Sequence, residues 1–241
     1  LFPATIVLQS VEYINAYQGI KLLLTNNTAT LVKLMYRIDN STSFLSEDIP
    51  SQISPVEILI DELSVGNHII TYFIQDENNI ESMQVTKEFT ALGLVEIPKE
   101  LLTLEASSSQ EDGNGNGKSD AAIDGDVNTF WQSEPKEDFD HWLDVGLDKE
   151  RVIKGLALIR RSDSAAGSFK KFQIEYYDSR NDEYVLLENI FNFDPYGQPV
   201  DFQKFEIKEI KTDNITLYFK EPINSNVKVA ELAEIKIYEV N

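Results

Sequence analysis

Ala121-Ala122-Ile123-Asp124-Gly125-Asp126-Val127-Asn128-Thr129-Phe130-Trp131-Gln132-Ser133 is the most informative stretch of the 241-residue chain. Asp124-Gly125 reads as a tight turn. Asp126, Asn128 and Thr129 then return hard oxygens toward one point, and a large aromatic pins the turn to a core. Carboxylate, carbonyl and hydroxyl oxygens from a compact loop are the ligands Ca²⁺ selects. A capped turn packed by Trp131 accounts for the same spacing equally well, so the residues alone leave both readings open.

Around this loop the hydrophobic period is two almost everywhere. Before it, strands are expected at Thr5–Ile14, Gly19–Thr25, Thr30–Ile38, Val56–Leu63, Asn67–Gln75 and Met83–Thr90, with turns at Asn26-Asn27, Asp39-Asn40-Ser41, Ser64-Val65-Gly66 and Asp76 to Asn79. After it they are expected at Leu143–Leu147, Val152–Arg160, Lys171–Tyr177, Tyr184–Leu187, Phe202–Ile207, Asn214–Phe219 and Ala233–Val240. No long amphipathic helix is expected. The weakly patterned segment around Gly93 and Pro98 marks a boundary, giving a β-sandwich over 1–93, a linker over 94–103 and a second β domain over 104–241. The fold class is therefore all-β, with two sandwiches in series.

The charge balance is 41 acidic against 21 basic side chains, a net charge of −20, which disfavours nucleic acid and anionic membranes as partners. The chain is 42% hydrophobic and 10% aromatic, enough to build a core, and no apolar run approaches the roughly 20 residues of a spanning helix. With no cysteine and two histidines, thiolate metal sites, disulfides and most histidine-based chemistry are excluded or poorly supplied. The start at Leu1-Phe2-Pro3 lacks methionine and an apolar leader, so targeting information is expected to have lain upstream.

Two local runs imitate other sites. Asp112 to Asp120 has oxygens at EF-hand positions 1, 3, 5 and 9 and glycine at 6, but position 12 is Ile123 and no helices flank it. A solvated Gly/Asn loop is the better reading. Gly117-Lys118-Ser119 echoes a phosphate loop, but the first glycine is replaced by Asp112 and no strand-to-helix crossover follows. Acidic pairs such as Asp61-Glu62 and Asp76-Glu77 sit at turns. No pair of carboxylates is set across a cleft, so an enzyme is not expected.

Three stretches in order, the 121–133 loop, His141-Trp142-Leu143-Asp144-Val145-Gly146-Leu147 and Val229-Ala230-Glu231-Leu232-Ala233-Glu234-Ile235-Lys236-Ile237-Tyr238, resemble the discoidin domain. This is also called the coagulation factor 5/8 type C domain and includes the family 32 carbohydrate-binding modules. The resemblance covers 104–241 and implies a galactose-binding-domain-like, eight-stranded jelly roll with one structural calcium. Its ligands would be side-chain oxygens of Asp124, Thr129 and Glu234 with the carbonyls of Ala121, Asp126, Thr129 and Ala233, while Glu231 is expected to be solvated. Upstream, Leu63 to Asp76 resembles a hairpin edge of bacterial immunoglobulin-like and fibronectin-III-like modules, with His68 structural and bonded to a turn carbonyl.

In the discoidin family, ligands bind at loops beside the calcium. Arg161 stands where galactose-binding relatives place an arginine, and Gln132 where they often carry histidine. Phe139, Phe193 and Tyr196 are the loop aromatics available to stack on a sugar, with Asn192 and Asp194 as polar neighbours; Trp131 and Trp142 are expected in the core. The implied function is non-catalytic glycan binding by a secreted or surface-anchored bacterial protein, an immunoglobulin-like spacer presenting a calcium-stabilised lectin module. The alternatives are adhesion to a surface or matrix protein through the same loops, and a purely structural role.

Overall fold

The computed structural model describes residues 11–25, 30–50, 55–112, 116–162, 169–198 and 201–241. The chain divides into two compact units, one of 1–93 with the last two residues and one of 94–239. Expectations for residues 5–10, for the Asn26-Asn27 turn and for Gly113 and Asn114 fall outside the described residues.

In the first unit, strands β1 (Val11–Ala16), β2 (Gly19–Thr25), β3 (Leu31–Ile38), β4 (Leu45–Asp48), β5 (Pro55–Ile60), β6 (Gly66–Asp76) and β7 (Val85–Ala91) form two antiparallel sheets, ordered β1-β2-β5 and β4-β3-β6-β7. Their inward residues alternate as a half-buried strand requires: Ile20, Leu22 and Leu24 meet Leu34, Val56, Ile58, Ile70, Tyr72 and Ile74 in one core. This is the sandwich expected of an immunoglobulin-like module. β4 was not expected, because all four of its residues are exposed at a sheet edge and carry no apolar alternation. His68 is buried; its Nε2 lies 2.7 Å from the Ser64 carbonyl and its Nδ1 2.8 Å from the Asp39 carboxylate.

The second unit comprises β8 (Leu94–Glu96), β9 (Leu102–Ala106), β10 (Trp131–Gln132), β11 (His141–Ile159), β12 (Phe169–Asp178), β13 (Glu183–Asn192), β14 (Gln203–Pro222), β15 (Glu231–Leu232) and β16 (Glu234–Val240). A seven-stranded sheet runs β13-β12-β14-β11-β16-β8, with β9 also on β11; β10 and β15 form a separate two-stranded pair. Segment 94–103 is not a linker. Leu94–Glu96 joins the sheet and Ile97 is buried in the core with Leu102, two apolar anchors in a stretch whose period is too irregular to read as a strand.

β11 and β14 each unite two expected strands. The polar Asp148-Lys149-Glu150 run that breaks the alternation is a register shift between Gly146 and Arg151, not a loop. The consequence is positional: β11 pairs with β9 along its first half and β16 along its second, and so delivers its end, Ile159, beside Glu234.

Candidate functional site

The 121–133 loop begins with a short 3₁₀ turn, Ser119–Ala122, that buries Ala121 and Ala122. Gly125 follows at φ 84°, a conformation that disfavours any side chain. Oδ1 of Asp124 accepts the Asp126 amide at 2.7 Å, and its Oδ2 accepts the Thr129 hydroxyl at 2.7 Å. The same hydroxyl also reaches the Asp126 carbonyl at 2.7 Å, and Asp126 in turn caps Asn128 through its amide and its side chain. Trp131 has no exposed surface and donates from Nε1 to the Ser108 carbonyl at 2.9 Å, which satisfies its one polar atom. Antiparallel pairing of Trp131 with Leu232 and Gln132 with Glu231 then ties the loop to the last strands.

That pairing brings Glu234 to the loop. It is 4% exposed and accepts the Gly125 amide. Burial first, and then the adjacent Asp124 carboxylate, push its carboxyl up to about 7 despite the Gly125 bond. The Lys99 ammonium donates to the Asp124 carbonyl. Asp124, Thr129, Glu234 and the Asp126 carbonyl therefore form one oxygen-rich cluster in which two carboxylates crowd each other, with the Lys99 ammonium as the positive charge beside them. Among the described residues no group of three or more His, Cys, Asp or Glu gathers, so any cation here would lean on carbonyls and a hydroxyl, a composition that fits Ca²⁺ better than a transition metal. Ala121 and Ala233 are buried beside these residues, and their carbonyls enter the set only through the family resemblance.

Arg161 lies two residues beyond the end of β11. Its Nη1 donates to Glu231 at 2.9 Å and reaches the Gln132 side-chain oxygen at 3.5 Å, while the guanidinium lies 3.7 Å from the centroid of the Phe130 ring. Gln132 donates to the side chain of Gln110 at 2.7 Å. Glu231, expected to be solvated, is 4% exposed: its place in β15 turns it inward, and Arg161 neutralises it. The Arg161 side chain keeps 21% exposure, so solvent reaches it. Arg161 and Gln132 are thus brought together, with Phe130, Gln110 and Glu231 as partners missed from sequence. Only Phe130 had a signal there, its place inside the 121–133 motif.

The aromatics divide. Phe139 and Phe193 do not offer a surface: Phe139 packs edge-on against His141 at 4.9 Å, and Phe193 is 3% exposed, stacked on Phe169 at 4.6 Å. Both plug the core from loops. His141 is fully buried, and burial holds its imidazole below the usual range. Trp142 is only partly buried, on the sheet face away from the core. Asn192 ends β13, exposed and paired with Lys171.

Tyr196 stands 71% exposed on a braced loop. Asp194 accepts the Tyr196 amide at 2.9 Å, and Gln203 clasps the Asp194 backbone at 2.7 and 2.8 Å. Arg160 donates from Nε to the Gly197 carbonyl at 2.7 Å and from Nη1 to the Arg161 carbonyl at 2.8 Å. One guanidinium thereby fastens the Tyr196 loop to the backbone that carries Arg161.

The F5/8 type C domain profile matches residues 103–235, more than half of the chain. Among solved structures, a family 32 carbohydrate-binding module of Clostridium perfringens, in complex with GalNAc-β-1,3-galactose, is similar at 20% identity and a TM-score of 0.51, covering 59% of this chain and 99% of its own. A second module of that organism, from NanJ, in complex with galactose, has 21% identity, a TM-score of 0.50 and coverage of 61% and 99%. A SusE-like protein matches along 99% of both chains at 13% identity and a TM-score of 0.62. No curated protein matches the sequence. At these identities the structures speak for the fold alone; the profile match establishes the family, and the chain belongs to the F5/8 type C domain family.

Proposed function

We propose that this protein binds glycan without catalysis, through the loop end of its second unit, where Arg161, Gln132 and Tyr196 form the ligand surface. The observation that carries the reading is the mounting of Arg161. A guanidinium held over Phe130 and against buried Glu231, yet still in contact with solvent, is a pre-set donor for sugar hydroxyls. Tyr196, exposed on the loop that Arg160 fastens to the Arg161 backbone, supplies a ring face for the C–H side of a pyranose. The two Clostridium perfringens modules with galactose-containing ligands support a sugar of that class, although Gln132 in place of histidine alters one hydroxyl contact. A shallow site of this size binds with a Kd of about 10 μM–1 mM.

In the same reading Asp124, Thr129 and Glu234, with carbonyls of Ala121, Asp126, Thr129 and Ala233, hold a structural Ca²⁺ that ties the loop to β16. The likeness to a SusE-like protein supports a place on the outer surface, in polysaccharide capture. Adhesion through apolar loop residues loses two of its three anchors, because Phe139 and Phe193 are core.

NMR titration of the calcium-loaded protein with galactose and with GalNAc-β-1,3-galactose tests the reading. Saturable shifts at Arg161, Gln132 and Tyr196 are expected; shifts confined to other surfaces, or none with either sugar, would overturn it.

A further inference from the structure

The large sheet carries a second constellation on its outer face, built from residues that alternate with the core. Trp142 of β11 stands directly opposite Tyr218 of β14; in the next row Asp144 stands opposite Glu105 of β9 and Thr216 of β14, and Thr216 opposite Glu175 of β12. Tyr184 of β13, 62% exposed, completes a depression of about 290 Å³. It shares no residue with the Arg161 site.

The polar groups of this depression are arranged to present acceptors. The Thr216 hydroxyl donates to Asp144 at 2.6 Å, and the Tyr218 hydroxyl to Glu175 at 3.1 Å. The Thr216 and Tyr218 hydroxyl protons are thus taken up within the depression, and Asn214 donates to the second Asp144 oxygen at 2.7 Å, which leaves Glu105 and Glu175 as the carboxylates beside the rings. Among the described residues that line it there is no lysine, arginine or histidine. Such a surface selects a ligand bearing donors and positive charge, because both π faces and carboxylates attract a cation. Lys220, two residues along β14 from Tyr218, already rests its ammonium 5.0 Å from that ring's centroid. The opposed Trp142 and Tyr218 add apolar ring area that an ammonium alone does not use but the C–H face of a sugar does.

We propose that this sheet face is a second glycan-binding site, selective for sugars with a free amine: hexosamine units lying on Trp142 and Tyr218, their ammonium groups against Glu105 and Glu175. It rests on the glycan-binding reading only in taking a sugar as the occupant. Acidic glycans are excluded by the three lining carboxylates.

The test is intrinsic fluorescence, titrated at low salt near pH 6 with a fully de-N-acetylated glucosamine tetrasaccharide and with its N-acetylated counterpart. The protein has two tryptophans and Trp131 has no exposed surface, so a ligand-induced change reports on Trp142. The expected result is a saturable change with the free-amine sugar, at least about tenfold weaker with the acetylated one. Glu175→Gln weakens it, and Arg161→Lys leaves it unchanged, so failure here and failure at the loop site are read separately. Trp142→Leu, which alters no charge, is followed by NMR of the Tyr184 and Tyr218 rings and should abolish binding. No saturable change, equal response to both sugars, or binding that survives Trp142→Leu as a general attraction to an acidic protein would each overturn the proposal. So would tetralysine binding at least as tightly as the sugar with the same dependence on Trp142, since the face would then serve peptide amines.

Discussion

Stripping the protein of metal and raising the pH from about 4.5 to about 8 perturbs Glu234 more directly than any substitution. In the metal-free protein its carboxyl is raised from the ordinary 4.5 to about 7, first by burial and then by Asp124. An acid whose folded value lies above its unfolded one holds its proton more tightly when folded. Stability is therefore fully present below about pH 4.5 and is lost as pH rises toward and through about 7. A shift of that size corresponds to about 3 kcal/mol. For a domain of this length that is roughly 6–12 °C in melting temperature. Calcium should reverse the trend, since the ion needs the carboxylate ionised and stabilises the folded state more as protons leave. The assay is thermal melting across this pH range with excess chelator and with millimolar calcium, comparing wild type with Glu234→Gln. That comparison removes the background titration of the other carboxylates. In chelator the wild type should lose stability relative to the variant as pH rises, and calcium should recover it in the wild type alone. Parallel pH curves for the two proteins in chelator, together with melting indifferent to calcium, would refute the reasoning.

Arg161→Ala should destabilise the second unit by about 3–5 kcal/mol, because it strands the buried carboxylate of Glu231, and adding Glu231→Gln should recover most of that loss in denaturant melts. Tyr196→Ala should change stability by no more than about 0.5 kcal/mol while weakening glycan binding, whereas Phe193→Ala should cost about 3–5 kcal/mol, as deletion of a core aromatic does. In the first unit, the hydrogen bond to Asp39 holds His68 above its usual value, while the Ile69 amide and then His68 hold Asp39 below its own. The His68 contribution is present below about pH 6.5 and fades as pH rises through its raised value. Asp39→Asn should flatten melting of the first unit across that window.

Much of this architecture was legible because it rests on alternation and on one loop. Trp131 reads as a core anchor, and Asp124-Gly125 as a turn, from residue type alone; Gly125 at φ 84° and the Asp124–Thr129 bond are what those types produce. Phe139 and Phe193 misled for a physical reason: an aromatic between strands is equally suited to a surface platform and a core plug, and only packing decides. Glu231 misled likewise, since a carboxylate's burial depends on a partner 70 residues away, Arg161. The bracing by Arg160 of the Tyr196 loop depends on strand ends meeting in space and leaves no local trace. The continuous β11 was hidden because its Asp148–Glu150 bulge carries the polar signature of a turn.

The central claim is that the braced Arg161–Tyr196 surface recognises sugar. A glycan array with calcium, probed with wild type, Tyr196→Ala and Arg161→Lys, tests it most directly. The account predicts selective signals among galactose-containing glycans that fall with both variants while their melting temperatures hold. Selective glycan signals unchanged by both variants, or an array blank for the wild type, would contradict it.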